Sequence, residues 1–155
     1  MKTLIMLSAF PASGKTTWAK NYQKEHDNVY ILNSDEIRLE LTHGNYHDRS
    51  KQKEVWETFD KRIHEIGKID NVTLILDALN DVNEVRLKYL KTTPEFDRKI
   101  LVMFPSTLER SKEFNGRRPE ECRVPENVIE MLFDKFEQPS EEVLSLVDEL
   151  VEVRW

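Results

Sequence analysis

The chain has 155 residues, a formal net charge of −6 and a single cysteine, Cys122. The length predicts one domain over residues 1–155 with one hydrophobic core, and the lone cysteine excludes an internal disulfide and favours a reducing, cytoplasmic location. The negative charge argues against a large sequence-independent nucleic-acid surface, although five cationic side chains between residues 109 and 123 allow a local basic groove. The apolar runs are too short to span a bilayer, so no membrane partner is expected.

Apolar runs alternate with segments of helical periodicity, a pattern typical of an α/β domain with a mainly parallel sheet. Short continuous apolar runs, as expected of strands buried on both faces, predict strands over 3–8, 29–33, 72–77 and 99–104. The tail is ambiguous between helix and strand, and a final strand near 147–153 is favoured. Helices are predicted over 15–24, 34–42, 50–66, 82–91, 106–114 and from Pro125 to about Phe136. We expect Gly67 to end the third helix and Asp81 with Glu84 to cap the fourth.

The stretch "AFPASGKTTWAK", residues 9–20, lies between the first predicted strand and the first predicted helix. It approaches the nucleotide-loop pattern G-x-x-x-x-G-K-[S/T], except that Ala9 stands where the first glycine belongs. In that pattern Lys15 reaches the β- and γ-phosphates and the hydroxyl of Thr16 ligates Mg²⁺, at a strand–helix junction that favours anions. The remaining phosphate-contacting residues are expected to be Ala12, Ser13, Gly14 and Thr17. The alternative is a capped strand–helix turn with an exposed lysine.

Polar residues also follow the second and third predicted strands. Asp35 and Arg38 are three residues apart, so a helix that begins near Ser34 places them on one face, and Asp77 ends the third strand. Because the carboxyl ends of parallel strands open onto one crevice, we expect the phosphate loop, Asp35 and Asp77 to converge. A carboxylate opposite the γ-phosphate can take a proton from an attacking hydroxyl, as in a kinase. The alternatives are an ordinary surface ion pair for Asp35 and a helix N-cap for Asp77.

Four motifs occur in the order and spacing of a known family: "PASGKTTWAK", "NSDEIR", "LDALN" and "NGRRPEECRVPENVIEM". On these motifs the chain, from Lys2 to about Phe136, resembles the kinase domain of the polynucleotide 5′-hydroxyl kinases, which belong to the adenylate-kinase-like P-loop phosphotransferases. The resemblance implies a three-layer α/β P-loop kinase fold with a parallel sheet of about five strands and an arginine-bearing lid at about 115–124. It also implies ATP and Mg²⁺ as cofactors.

The resemblance assigns a role to each matching residue. Asp35 would be the general base on the 5′-hydroxyl, and Arg38 would hold an acceptor phosphate. Asp77 and Asn80, which the resemblance counts with Arg38 among the substrate-binding residues, occupy the third-strand position of the family, where the acid orients Arg38 or the magnesium shell. The lid residues that match the arginines closing on the transferring phosphate are Arg118 and Arg123. The alternative for the lid is a solvated basic loop.

These roles predict Mg²⁺-dependent transfer of the γ-phosphate of ATP to a hydroxyl. The favoured acceptor is the 5′-OH of a DNA or RNA end, which implies a role in nucleic acid end repair. Two alternatives stay open: a small-molecule kinase acting on a nucleoside, sugar or antibiotic, and a nucleotide-binding switch module without an acceptor. Arg38 bears on the first alternative, because an acceptor that carries a phosphate needs a cation there and a plain sugar does not.

The predicted loop after the second helix carries His43, Tyr46 and His47. Gly44 interrupts any helix through the two histidines and no third ligand is nearby, so no structural metal is expected. Tyr46 and His47 offer a stacking platform for an acceptor base, although an ordinary exposed loop is favoured.

Overall fold

The computed structural model describes residues 1–154; residue 155, the last of the predicted domain, lies outside the described residues. The strands are β1 (Thr3–Ala9), β2 (Val29–Asn33), β3 (Thr73–Asp77), β4 (Arg98–Phe104) and β5 (Glu149–Glu152). The helices are α1 (Lys15–Glu25), α2 (Ser34–Leu41), α3 (Gln52–Ile66), α4 (Asn83–Lys91), α5 (Leu108–Gly116), α6 (Glu126–Lys135) and α7 (Glu141–Leu146). All the strands are parallel and form one sheet in the order β2-β3-β1-β4-β5.

The sheet lies between two apolar layers because successive side chains of its central strand point to opposite faces. Leu4 and Met6 of β1 pack in one cluster with side chains of α3, α4 and α7, and Ile5 and Leu7 pack in a second cluster that includes Ala19 of α1. Burial on both faces explains the continuous apolar runs of the strands. The predicted three-layer α/β fold with a parallel sheet of about five strands is therefore confirmed.

The predicted elements agree with the structure to within two residues at each end, and Gly67 follows α3 as expected. The predicted capping pair of α4 is wrong, because the N-cap is Val82 and it makes no side-chain cap hydrogen bond. Instead, Oε1 of Glu137 accepts the backbone N–H of Asn83 at 2.8 Å, so a carboxylate 54 residues away caps the helix. The short helix α7 was not predicted; Ser140 caps it through a hydrogen bond from the N–H of Val143.

The carboxyl ends of the strands carry the segments that matter for the site. β1 runs into the loop 10–14, β2 runs directly into α2, and β3 ends at Asp77. The lid segment, residues 117–125, joins α5 to α6 and contains a short 3-10 helix at Glu120–Cys122. Among residues 1–154, no helix combines the length and the apolar character that crossing a membrane requires.

Candidate active site

The loop 10–14, here called the phosphate loop, turns the chain from β1 into α1. Gly14 caps α1 with a φ of 90°, and Ala12 also has a positive φ, 52°. The hydroxyl of Ser13 donates to the carbonyl of Phe10 at 2.6 Å and closes the turn. A positive φ is costly for a residue with a Cβ, so the backbone strain of this loop lies at Ala12.

Ala9 was the position that departed from the nucleotide-loop pattern. The structure places it in β1, in register with Phe104, fully buried, with its N–H donating to the carbonyl of Leu79 at 2.8 Å. Strand backbone accommodates a Cβ without strain. A glycine is therefore not required at this position of the loop.

Asp77 lies at the centre of the polar contacts. Its Oδ2 accepts hydrogen bonds from the Thr16 hydroxyl at 2.9 Å and from Nδ2 of Asn33 at 2.8 Å, and its Oδ1 lies 3.4 Å from Nζ of Lys15. The carboxyl is buried, and Oδ1 has no hydrogen-bond partner among the described residues, 1–154. The helix N-cap alternative for Asp77 does not apply, since α4 begins six residues later at Asn83.

The Thr16 and Asp77 oxygens also fit a magnesium ion. Mg²⁺ binds oxygen ligands and usually keeps several waters beside one or two carboxylates and a phosphate. A hydroxyl and a buried carboxylate with one oxygen free of hydrogen bonds supply suitable donors. A cavity of about 270 Å³ opens beside them, and its lining includes Thr16, Asn33, Glu36 and Asp77.

Asp35 and Arg38 lie on one face of α2, as predicted. Nη1 of Arg38 donates to Oδ1 of Asp35 at 2.6 Å, and Nη2 donates to Oε1 of Gln52 at 3.1 Å. The two side chains differ in exposure, with 3% of the Arg38 side chain and 38% of the Asp35 side chain accessible. Asp77 was expected to orient either Arg38 or the magnesium shell. Among residues 1–154 the Arg38 side chain bonds to Asp35 and Gln52 and not to Asp77, so the structure is compatible with the magnesium role alone.

Tyr46 lies beside the exposed side of Asp35, with its hydroxyl 3.4 Å from Oδ2 of that residue. Burial, followed by the negative charge of Asp35, raises the pKa of Tyr46, and the nearby charge of Arg118 opposes the shift. The phenol therefore stays a neutral donor toward the carboxylate. Its ring packs edge-on against His47, with centroids 5.2 Å apart.

Asn33 is a site residue that the sequence reasoning missed. As the last residue of β2 it is the N-cap of α2, and its Oδ1 accepts from the amides of Asp35 at 2.9 Å and Glu36 at 3.0 Å. Its Nδ2 binds Asp77, so one side chain connects both acidic residues of the site. The signal was present in "NSDEIR", since asparagine directly before a helix with acids in its first turn is a strong capping pattern.

Asn80, predicted to be a substrate-binding residue, lies in the loop after β3. Its side chain is buried and its Nδ2 donates to the carbonyl of Leu7 at 2.6 Å, while its backbone φ is 44°. Its carbonyl accepts from the hydroxyl of Ser8 at 2.8 Å and from Nε of Arg86 at 2.9 Å. Asn80 thus fixes the loop after β3 against β1.

The two predicted lid arginines occupy different surroundings. Arg118 is half-buried and lies close enough to Tyr46 to affect its pKa, which brings it to the Asp35 side of the site. Arg123 is exposed, and its Nε donates to the carbonyl of Arg118 at 2.9 Å. The buried Asn115 closes the base of the lid segment, because its side chain pairs with both the N–H (2.9 Å) and the carbonyl (2.7 Å) of Val124.

Solved structures of similar fold include two proteins of RNA metabolism. A chain of the Pnkp1/Rnl/Hen1 RNA repair complex matches with a TM-score of 0.75 and 21% identity, over 86% of this chain and 43% of that chain. A fungal RNA kinase matches with a TM-score of 0.67 and 14% identity, over 99% of this chain and 74% of that chain. This chain therefore spans less than half of the RNA repair protein, and at these identities the likeness establishes the fold.

A third solved structure relates to the family of this chain. Chaetomium thermophilum Kti12 in complex with ADP-AlF3 matches with a TM-score of 0.70 and 18% identity, over 98% of this chain and 89% of that chain. The expected polynucleotide-kinase-like P-loop domain is confirmed at the level of the fold by these three structures. The model of the family described as "Chromatin associated protein KTI12" matches residues 2–144, and the chain belongs to that family.

Proposed function

We propose that the protein is an ATP- and Mg²⁺-dependent phosphotransferase whose acceptor is the 5′-hydroxyl of a DNA or RNA end. The observation that carries the proposal is the exposure of the Asp35 side chain together with its hydrogen bond to Arg38. The Asp35 side chain is 38% exposed, yet its Oδ1 accepts a 2.6 Å hydrogen bond from Arg38, whose side chain is 3% exposed. A general base needs both properties, since it must be open to the incoming hydroxyl and fixed in orientation.

The nucleotide would bind at the phosphate loop. Backbone N–H groups at the start of α1, with Lys15 beside them, form the kind of anion site that phosphates occupy at helix N-termini. Thr16 and Asp77 would hold the magnesium ion, which when bound neutralises charge on the β- and γ-phosphate oxygens. The binding of ADP-AlF3 by a Kti12 protein of the same fold supports this assignment.

The proposed reaction is an in-line displacement. The oxygen of the acceptor hydroxyl forms a bond to the γ-phosphorus while the bond from that phosphorus to the β–γ bridging oxygen breaks. Asp35 takes the hydroxyl proton, and ADP and a phosphate monoester are the products. Lys15 and Arg118 would stabilise the charge on the transferring group, and an arginine in that role is worth on the order of 10³–10⁵ in rate.

The choice of a nucleic-acid acceptor rests on Arg38. A guanidinium binds phosphate through two parallel hydrogen bonds, and Nε of Arg38 is a buried donor without a hydrogen-bond partner among residues 1–154. The phosphate next to the attacking hydroxyl of a 5′ end would bind this guanidinium after a rotation of the Arg38 side chain, since only 3% of it is accessible in this arrangement. Similarity to an RNA repair chain and a fungal RNA kinase supports the same acceptor class.

Transfer of labelled γ-phosphate tests the proposal. At low salt, we expect the wild-type chain to label 5′-OH RNA or DNA oligonucleotides and not nucleosides or simple sugars. Asp35→Asn should lower turnover by at least about 10² with ADP binding retained. Asp27→Asn is the matched control, because Asp27 is exposed at the opposite end of β2, and it should leave turnover unchanged.

Each other outcome selects an alternative. Labelling of a nucleoside or sugar but not of oligonucleotides would make the protein a small-molecule kinase. ATP consumption that is equal in the wild type and in Asp35→Asn, with no labelled acceptor, would indicate a nucleotide-binding switch. Arg38→Lys gives an independent check, since it should reduce the preference for a nucleoside 3′-phosphate over the same nucleoside.

A further inference from the structure

Arg86 of α4 is a buried cation that the proposed reaction does not use. It is 0% exposed, and burial lowers its pKa, while the charges of Asp81 and Glu137 oppose that shift. Its hydrogen-bond partners are uncharged: Nε and Nη2 donate to the Ser8 hydroxyl at 3.2 and 2.9 Å, and Nη1 donates to Oδ1 of Asn83 at 2.9 Å. Within residues 1–154 no carboxylate forms an ion pair with this guanidinium, and a charged group without such a partner is costly to bury.

The segments that Arg86 joins are those that carry the nucleotide site. Ser8 lies two residues before Phe10, the first residue of the phosphate loop. Nε of Arg86 also donates to the carbonyl of Asn80, in the loop that follows Asp77. The guanidinium therefore ties the start of the phosphate loop to the loop after β3, and so sets the spacing between the two halves of the site.

An aromatic stack extends this connection to the phosphate loop. The guanidinium carbon of Arg86 lies 5.3 Å from the ring centroid of Phe136, just past the end of α6. The Phe136 ring stacks on Phe10 with centroids 4.0 Å apart and an angle of 21° between the rings. Phe133 of α6 also stacks on Phe10, at 4.4 Å and 22°. Phe10 is the only large side chain among residues 10–14, and it is held by residues more than 120 positions away.

We propose that Arg86 and Phe136 are positioning residues for the nucleotide: the Phe136 ring stacks on Phe10 of the phosphate loop, and Arg86 packs on the Phe136 ring. The inference rests on the proposed binding of ATP at this loop. A phosphate cradle is useful only if its N–H groups are already oriented when the ligand arrives, because reorganisation would weaken binding. The strained φ of Ala12, 52°, is a conformation that persists only where the surroundings enforce it.

Substitution of Phe136 tests the inference. By isothermal titration calorimetry with ADP and Mg²⁺, Phe136→Leu should weaken ADP binding about tenfold, since it removes the ring contacts on Phe10 and Arg86. Phe136→Tyr keeps the ring and should bind within about twofold of the wild type. The matched control is Phe59→Leu, a change of the same kind in a core cluster that does not include Phe10, Phe133 or Phe136. It should lose stability with ADP affinity within about twofold of the wild type.

Steady-state kinetics separate positioning from general destabilisation. Phe136→Leu should raise the KM for ATP and leave the KM for the oligonucleotide unchanged, because Arg38 does not touch the stack. Arg86→Met should act in the same direction as Phe136→Leu. Equal ADP affinity of Phe136→Leu and the wild type, or equal weakening by Phe136→Leu and Phe59→Leu, would overturn the inference. A wild-type chain that binds no ADP would instead overturn the proposed function, and the inference with it.

Discussion

Substitutions of Asn33 can separate two roles that its side chain combines. Oδ1 accepts from the amides of Asp35 and Glu36 and caps α2, while Nδ2 donates to Oδ2 of Asp77 at 2.8 Å. Serine is also a good N-cap residue but has no amide donor for the carboxylate. Alanine provides neither group. The serine and alanine variants therefore differ by the cap alone.

The expected losses follow from these contacts. A hydrogen bond to a charged group contributes about 1.5–3 kcal/mol, so Asn33→Ser should lower the free energy of unfolding by about 2 kcal/mol. Loss of an N-cap costs about 1 kcal/mol more, so Asn33→Ala should cost about 3 kcal/mol. Urea denaturation measures both values. Equal losses in the two variants, or a loss below about 0.5 kcal/mol in Asn33→Ser, would refute the division of roles.

The Asn33→Asp variant adds a test by pH. Aspartate keeps the cap but replaces the amide donor by a carboxylate about 3 Å from Asp77, and two carboxylates at that distance cannot both ionise easily. The pKa of the pair should therefore rise in the folded state. A folded-state pKa above the unfolded value means that the folded chain binds the extra proton, so stability is lost as pH rises from about 4 toward 7. The difference in free energy of unfolding between Asn33→Asp and Asn33→Ser should grow over that pH range. A difference that stays constant with pH would contradict the contact between position 33 and Asp77.

Three further predictions concern the loops and the core. Ala12→Gly should raise the free energy of unfolding by up to about 1 kcal/mol because it relieves a φ of 52°. Ala9→Gly in β1 should instead lower the free energy of unfolding by about 0.5–1 kcal/mol. Changes of the same sign in the two variants, measured by denaturation, would contradict this expectation. Asn115→Ala should remove two hydrogen bonds worth about 1 kcal/mol each and speed amide hydrogen exchange in residues 117–123. Unchanged exchange rates would show that Asn115 does not hold the lid segment closed. Burial raises the pKa of Tyr89, so the wild type should lose stability relative to Tyr89→Phe as pH rises above about 10, and parallel alkaline curves would refute that shift.

Much of the fold was predictable because the central strands β1 and β3 are buried on both faces. Such strands appear as continuous apolar runs, which the pattern around β1 and β3 shows directly. The convergence of Lys15, Thr16 and Asp77 also followed from topology, since the carboxyl ends of parallel strands share one edge. These predictions needed only the local apolar pattern and the rule that the carboxyl ends of parallel strands lie at one edge of the sheet.

The contacts that were missed depend on partners far apart in the sequence. Arg86 reaches Ser8 across 78 positions, and no pattern within α4 distinguishes it from an exposed arginine. Asn80 was predicted to bind substrate because its motif matched; its left-handed backbone directs the amide group toward β1, which the motif did not indicate. A motif specifies residue types at positions; the direction of each side chain depends on the backbone of the completed fold.

The pair Asp35 and Arg38 also shows that a motif gives residue types, whereas the fold determines how far each side chain is buried. Exposed i,i+4 pairs of this chain, such as Lys53 with Glu57, leave 85% and 63% of the two side chains accessible and contribute little. Arg38 is 3% accessible, so its charge has lost most of its hydration, and Asp35 is its carboxylate partner. Burying a cation beside a partly exposed carboxylate costs more desolvation free energy than an exposed surface ion pair does. Under the proposed function, the acceptor phosphate would be the second anion that this guanidinium binds.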